Sequence, residues 1–403
     1  MKRLLGQALV VGLLASVLAA PAATAGKPGV EARLAASLRD PSLSLARTAA
    51  LAVDLRTGAV VYALNASMPV VPASNAKLPV SWAALLRLGP GFRFRTEVVG
   101  VGDRRGRAWE GNVVVKGYGD PTLTTADLDA MARTLRARGI RVITGRVLGD
   151  ESYYDTVRGA PGWKRSFLGI ESPPLSALVV DRGRGWPGHS PPLLTAQAFT
   201  EALARHGVVV RGRPGLGTAP VEGFRLAVDT SATLADVVSS MNHESDNFTA
   251  EMLLKQLGAV AVGLGTTAGG ARAVLAEMRA AGIPTAGVRI ADGSGLSRLD
   301  RLTAEALVGI LRAALASPEI RDVFVRSLAV SARSGTLSNR LWPLQGVVRG
   351  KTGTTNLSCS LSGLVRGTVA FAVLQNGNPV ASWAARAAQD RFVTVLARRV
   401  AVG

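Results

Sequence analysis

The sequence predicts an α/β (α+β) protein: an antiparallel sheet flanked by helices, interrupted by an inserted strand-rich domain. Three observations predict it. Strand patterns stand near both ends of the chain, at 46–56 and 59–64 and again at 346–353, 358–365 and 368–374. Helical patterns accompany both groups, at 74–88, 234–241, 250–257, 269–281, 303–316 and 381–398. Between residues 92 and 223 the texture changes to short valine-rich runs separated by Gly, Pro and Arg clusters. The predicted division is a leader over 1–25, a first part of the α/β domain over 26–91, the insert over 92–223 and a second part of that domain over 224–403.

Each element has a local reason. A short helix at 30–39 precedes the first strand, and Thr57-Gly58 turns that strand into its hairpin partner. Gly89-Pro90-Gly91 stops the helix that begins at Ser74. Within the insert only 126–138 and 195–206 have helical spacing, and the runs 112–115, 142–148 and 208–210 read as strands. Thr303, with Glu305 in the first turn, is an N-cap for the helix that follows it. The last three strands are joined by short turns as a meander, and a helix closes the chain.

Composition narrows the function. Of 403 residues 48% are hydrophobic and 19% charged, which excludes intrinsic disorder. A single cysteine, Cys359, excludes an intramolecular disulfide and is expected to be a small buried hydrophobe. The histidines are only His189, His206 and His243, without metal-ligand spacing, so no metal or cofactor is called for and a Ser-His-Asp triad is a poor prospect. The net charge of +19 comes from 47 basic and 28 acidic side chains, with no dense basic run interleaved with aromatics. That argues against nucleic acid and for an anionic wall as the surroundings. Lys2 and Arg3, an apolar stretch over 4–20 and Ala23-Thr24-Ala25 form a secretory leader, so the mature chain is exported, periplasmic or extracellular and cell-wall associated, with no stable membrane span after cleavage.

Only seven of the basic residues are lysines, and two of them fall in motifs. Ser74-Asn75-Ala76-Lys77 is S-x-x-K, Ser245-Asp246-Asn247 is S-D-N, and Lys351-Thr352-Gly353 is K-T-G. The first is expected by chance about 0.4 times in such a chain, but all three in this order only about once in a thousand chains. Residues three apart share a helix face, so Lys77 reaches the Ser74 hydroxyl. Lys351, on an edge strand, supplies a second cation that depresses the Lys77 pKa, and a neutral Lys77 then activates Ser74 as nucleophile without histidine. Ser245 relays a proton to the leaving amine, and Asn247 bonds both substrate and Lys77. Asp246, Thr352, Gly353 and Thr354 are assigned to substrate and oxyanion contacts, with the N–H groups of Ser74 and Thr354 on the oxyanion. The strand after Lys351 offers a backbone edge to an extended peptide. Asp120 and the 292–296 stretch are expected to form turns, and His243 to pack.

These residues resemble the low-molecular-mass class C penicillin-binding proteins, the D-alanyl-D-alanine carboxypeptidase/endopeptidase family. The likeness extends to 72–78, 117–123, Pro161-Gly162-Trp163, Ser176-Ala177-Leu178, 241–247 with Ala250-Glu251, 292–298, and Gly335-Thr336-Leu337 with Arg340. It implies a penicilloyl-serine transferase fold and an acyl-enzyme on Ser74. The implied partners are peptidoglycan stem peptides ending in D-Ala-D-Ala and β-lactams as covalent inhibitors. Two departures stand out. The stretch from Ser74 to Ser245 is short for the family, which predicts one substantial insert. Pro79 lacks the N–H for a helical bond to Asn75, which predicts a kink in the nucleophile helix. Two alternatives stand beside the peptidase: a serine β-lactamase or esterase of the same fold, and a catalytically silent wall-binding protein.

Overall fold

The computed structural model of the protein describes residues 29–402. The leader expected over 1–25 lies outside the described residues. Helix α1 (Val30–Ser37) leads into the hairpin β1 (Thr48–Asp54) and β2 (Val60–Leu64), and α2 (Lys77–Leu88) follows. Next come β3 (Arg95–Arg105), β4 (Ala108–Gly117), α3 (Thr125–Ala137), β5 (Val142–Ile143), β6 (Val147–Asp150), α4 (Pro191–Arg205), β7 (Val209–Val210), β8 (Gly215–Leu216) and β9 (Phe224–Thr230). The chain then forms α5 (Leu234–Glu244), α6 (Asn247–Val262), α7 (Thr267–Ala280), α8 (Ala304–Ala316) and α9 (Pro318–Ser327). It ends with β10 (Ala329–Val330), β11 (Val348–Thr354), β12 (Ser358–Val365), β13 (Val369–Asn376) and α10 (Ser382–Val402).

Two sheets organise these elements. The first has six antiparallel strands in the order β10-β11-β12-β13-β1-β2, so the N-terminal hairpin is zipped onto the C-terminal meander. Its central strands are buried on both faces, and their side chains alternate between two cores. Ala49, Leu51 and Val53 of β1, with Ala370, Ala372 and Leu374 of β13, face the core shared with α2 and α5–α9. Ala50 and Ala52, with Val369, Phe371 and Val373, face α1 and α10. The second sheet has seven strands, β3 to β9, with α3 and α4 packed on one face through Leu128, Met131, Phe199 and Leu203.

The structure corrects several boundaries. The insert was expected to end at 223, yet β9 pairs antiparallel with β3 from Arg95↔Thr230 to Gly100↔Phe224. Strand β9 exposes Phe224 and Val228 and does not alternate cleanly, so its pattern hides it. Strand β3 was missed because Gly100, Gly102 and the charged run 103–105 break the apolar signal. Helix α9 starts on Pro318 and buries only Ile320, Phe324 and Ser327, too few to show a period. Thr303 does cap α8, accepting the Ala306 N–H at 2.9 Å. No single helix among the described residues is long and apolar enough to cross a membrane.

Candidate active site

The nucleophile segment is fixed to the first sheet before it becomes helical. Val71 exchanges hydrogen bonds with the Asn376 amide (both 2.9 Å), and its carbonyl also accepts from Ser358 Oγ at 2.6 Å. Ser360 Oγ donates to the Pro72 carbonyl at 2.7 Å and accepts from Asn75 Nδ2 at 2.5 Å. Ala73 then adopts φ 47°, a left-handed conformation unusual for a residue with a Cβ, and a 3-10 turn over Ala73–Ala76 presents Ser74. Helix α2 begins at Lys77, so Pro79 lies in its first turn, where N–H groups have no helical acceptor. The kink expected there is absent, and α2 runs unbroken to Leu88.

Three distant stretches meet at Lys77, which is completely buried. Its Nζ donates to Ser74 Oγ at 3.1 Å, Asn247 Oδ1 at 2.8 Å and the Ser294 carbonyl at 2.7 Å. The Asn247 amide is oriented by its Nδ2, which donates to the Glu171 carbonyl at 2.9 Å. Of the three partners only the Ser74 hydroxyl can also donate. A neutral amine has two N–H bonds and one lone pair. Asn247 and Ser294 take the two N–H bonds, which leaves the lone pair for the serine proton.

Burial lowers the Lys77 pKa to about 8, against the pull of Asp292, Glu251, Asp246 and Asp300. This corrects the expectation that Lys351 causes the shift. The repulsion is expressed at Lys351 instead, whose ammonium is pushed well below its ordinary value by burial and then by Lys77. Lys351 Nζ donates to Ser245 Oγ at 2.8 Å and to the Thr352 carbonyl at 2.9 Å. Ser245 sits at the junction of α5 and α6 with φ 59°, which swings its hydroxyl out of the helix and towards the strand.

Strand β11 carries the remaining motif. Its outer neighbour β10 pairs only with Arg349 and Gly350, so among the described residues no strand covers the outer edge of Lys351–Thr354. Gly353 lies flat against the nucleophile turn. A Cβ there would come within 2.7 Å of the Ser74 nitrogen and 2.5 Å of Ser360 Oγ. Thr352 Oγ1 donates to Thr336 Oγ1 at 2.7 Å, and Thr354 Oγ1 accepts from Arg386 Nη2 at 3.3 Å. Asp246 is engaged by neighbours within the fold. Its carboxylate caps α6 by accepting the Thr249 N–H at 2.6 Å and pairs with Arg182 at 2.6 Å, so it shapes the Ser245 turn.

Sequence reasoning missed several groups that build this site. Glu171 and Trp163 come from the long insert loop, and the Trp163 indole donates to Asp292 Oδ2 at 2.7 Å. Asp292 in turn accepts the N–H of Gly295 and of Ser297, both at 2.7 Å, and so shapes the loop that supplies the Ser294 carbonyl. Asp120 takes up the Thr122 N–H and hydroxyl in a turn (2.8 and 2.7 Å), His243 Nδ1 is bonded to the Ser239 carbonyl at 2.9 Å, and Cys359 is buried.

The family model described as D-Ala-D-Ala carboxypeptidase 3 (S13) matches residues 30–191 and 187–399. The chain belongs to the S13 family. Membership makes the protein a serine-type D-Ala-D-Ala carboxypeptidase. Among relatives of this S13 protein, the D-alanyl-D-alanine carboxypeptidase of Actinomadura sp. (strain R39) is 31% identical over 431 residues, covering 85% of this chain and 80% of the relative. Carboxypeptidase DacB of Mycolicibacterium smegmatis is 32% identical over 420 residues, 96% of this chain and 87% of its own. The crystal structure of penicillin binding protein 4 from Haemophilus influenzae superposes with a TM-score of 0.80 at 22% identity, over 93% of this chain and 99% of that one. The expected penicilloyl-serine transferase fold is therefore the fold of the S13 protein.

Proposed function

We propose that this protein trims or uncrosslinks bacterial peptidoglycan, removing terminal D-Ala from D-Ala-D-Ala ends, cleaving D,D-cross-links, or both, through an acyl-enzyme on Ser74. The observation that carries this reading is the placement of Lys77 Nζ between Ser74, Asn247 and the Ser294 carbonyl. In the first step the Ser74 Oγ–C bond forms as its proton passes to Lys77. The peptide C–N bond then breaks, and the leaving D-Ala amine takes a proton through Ser245, which Lys351 holds in place. Hydrolysis of the ester by water returns the enzyme. An extended peptide lies along Lys351, Thr352, Gly353 and Thr354, and the N–H groups of Ser74 and Thr354 receive the oxyanion. β-Lactams enter the same site and acylate Ser74. The leader pattern read over 1–25 and the positive charge support action outside the cytoplasmic membrane, against an anionic wall.

The test is covalent chemistry. Intact-mass measurement after exposure to benzylpenicillin should show one adduct, mapped to the peptide containing Ser74, and a D-Ala-D-Ala peptide should release D-alanine. Absence of both the adduct and released D-alanine would refute the proposal.

The pKa of Lys77 also sets a pH dependence. The lysine is an inert ammonium at low pH and loses its proton through about 8, so the acylation rate should climb along an acid limb with a midpoint near that value. Acylation rates followed from about pH 6 to about pH 10 would show the limb, and a flat profile would count against a lysine base.

A further inference from the structure

Three carboxyl groups are buried behind Lys77, and the proposed chemistry uses none of them. Glu251 and Asp292 are 0% exposed and Asp300 is 1% exposed. Asp292 is committed to its own loop and to Trp163, and Asp300 Oδ1 accepts the N–H groups of Ala291 and Asp292 at 2.7 and 3.2 Å. Glu251, on α6, is the one that touches the partner of the lysine. Its Oε1 accepts the N–H of Gly293 at 2.9 Å and of Ser294 at 2.8 Å, and the carbonyl of the same Ser294 holds Lys77 at 2.7 Å. Its second oxygen is buried without a partner, as is Asp300 Oδ2.

We infer that Glu251 is a positioning residue for Lys77: one carboxyl oxygen pins the Gly293–Ser294 peptide units, which keeps the Ser294 carbonyl on the lysine nitrogen and the lone pair on Ser74. The inference rests on the reading of Lys77 as the base. Without the Ser294 carbonyl the neutral amine keeps Asn247 and the Ser74 hydroxyl as partners, and its second N–H can turn to Ser74 in place of the lone pair. Charge explains why a carboxyl can be tolerated here. Burial and then Asp292 push the Glu251 pKa up to about 8, and the same causes hold Asp300 well above the usual carboxylate range. Both keep their protons into the neutral range, so the cluster does not lock Lys77 as a cation. Once ionised, Glu251 favours the ammonium.

The other ionisable groups nearby are accounted for. Asp246 is held by Arg182, Lys351 by Ser245, Lys255 by Asp155, and Glu277 by Arg87. Arg272, Arg279 and Arg298 are exposed.

The experiment measures benzylpenicillin acylation of the purified enzyme against concentration and pH, for wild type, Glu251→Ala and Glu251→Gln. Loss of the acceptor in Glu251→Ala should lower the limiting acylation rate about ten- to a hundredfold with little change in the half-saturating concentration. The amide oxygen of Glu251→Gln retains the two N–H bonds, so most of the rate should return. Its acid limb should move to lower pH, because no ionised Glu251 then opposes loss of the Lys77 proton, making it up to about threefold faster than wild type near pH 8 and equal to it near pH 6. Folded variants that keep the wild-type rate and midpoint overturn the inference while leaving the base assignment intact. Should Glu251→Ala fail to fold, an unmoved midpoint in Glu251→Gln overturns it alone. A wild type with no acid limb overturns the Lys77 reading, and this inference with it.

Discussion

Lys77→Met is expected to slow acylation of Ser74 about a thousandfold without unfolding the protein. The thioether side chain fills nearly the volume of the lysine in a site with no exposure, and it removes the one group among the described residues within 3.1 Å of Ser74 Oγ placed to take its proton. Lys77→Arg sharpens the result. Guanidinium keeps the positive charge but does not surrender its proton near neutrality, so a charge-only role would survive this change and a base role would not. The comparison is made by timed intact-mass measurement with benzylpenicillin and by D-alanine release, with melting curves as a check on folding. Acylation by either variant within about tenfold of wild type would remove lysine as the base.

Gly295→Ala should be the most destabilising single methyl in the catalytic core. Gly295 has φ +84°, and a Cβ there would lie 1.9 Å from the Ala73 carbonyl oxygen and 3.0 Å from the Ser74 nitrogen. No side-chain rotation relieves a collision between two backbones. The cost combines the left-handed conformation, about 1–2 kcal/mol, with displacement of the nucleophile turn. The total should be about 4 kcal/mol, lowering the melting temperature by roughly 8 °C and suppressing acylation. Gly282→Ala is the control, because Gly282 has φ +67° with nothing within 4 Å of the added methyl. It should lose only the conformational part and acylate normally. Equal melting temperatures for the two variants would show that the close approach at Gly295 does not govern stability.

The candidate site groups were legible because each lies in a motif whose spacing is itself chemical. Ser74 and Lys77 meet across one helical turn, and glycine at 353 is needed where the strand touches the Ser74 nitrogen. What lay hidden is supplied across long sequence distances by groups with no local signature. The Glu171 carbonyl orients Asn247, the Trp163 indole steadies Asp292, and Glu251 holds a peptide 42 residues away. The cause of the Lys77 shift was also misread from sequence. Spacing shows that two lysines can be neighbours, whereas desolvation depends on how completely the fold encloses them. The same limit explains the fold errors. Strand β3 is held between β4 and β9, and β9 by its pairing with β3, and neither carries enough alternation to announce itself.

The pairing of Thr48 with Gln375 has a consequence for how the chain is made. An interior strand of the catalytic sheet, β1, is nearly the first to leave the ribosome and its partner β13 nearly the last, so contact order here is high and closure is late. An emerging N-terminal fragment has only the β1–β2 hairpin of this sheet, and two strands alone are at best marginally stable. The catalytic sheet is therefore completed only when β13 arrives.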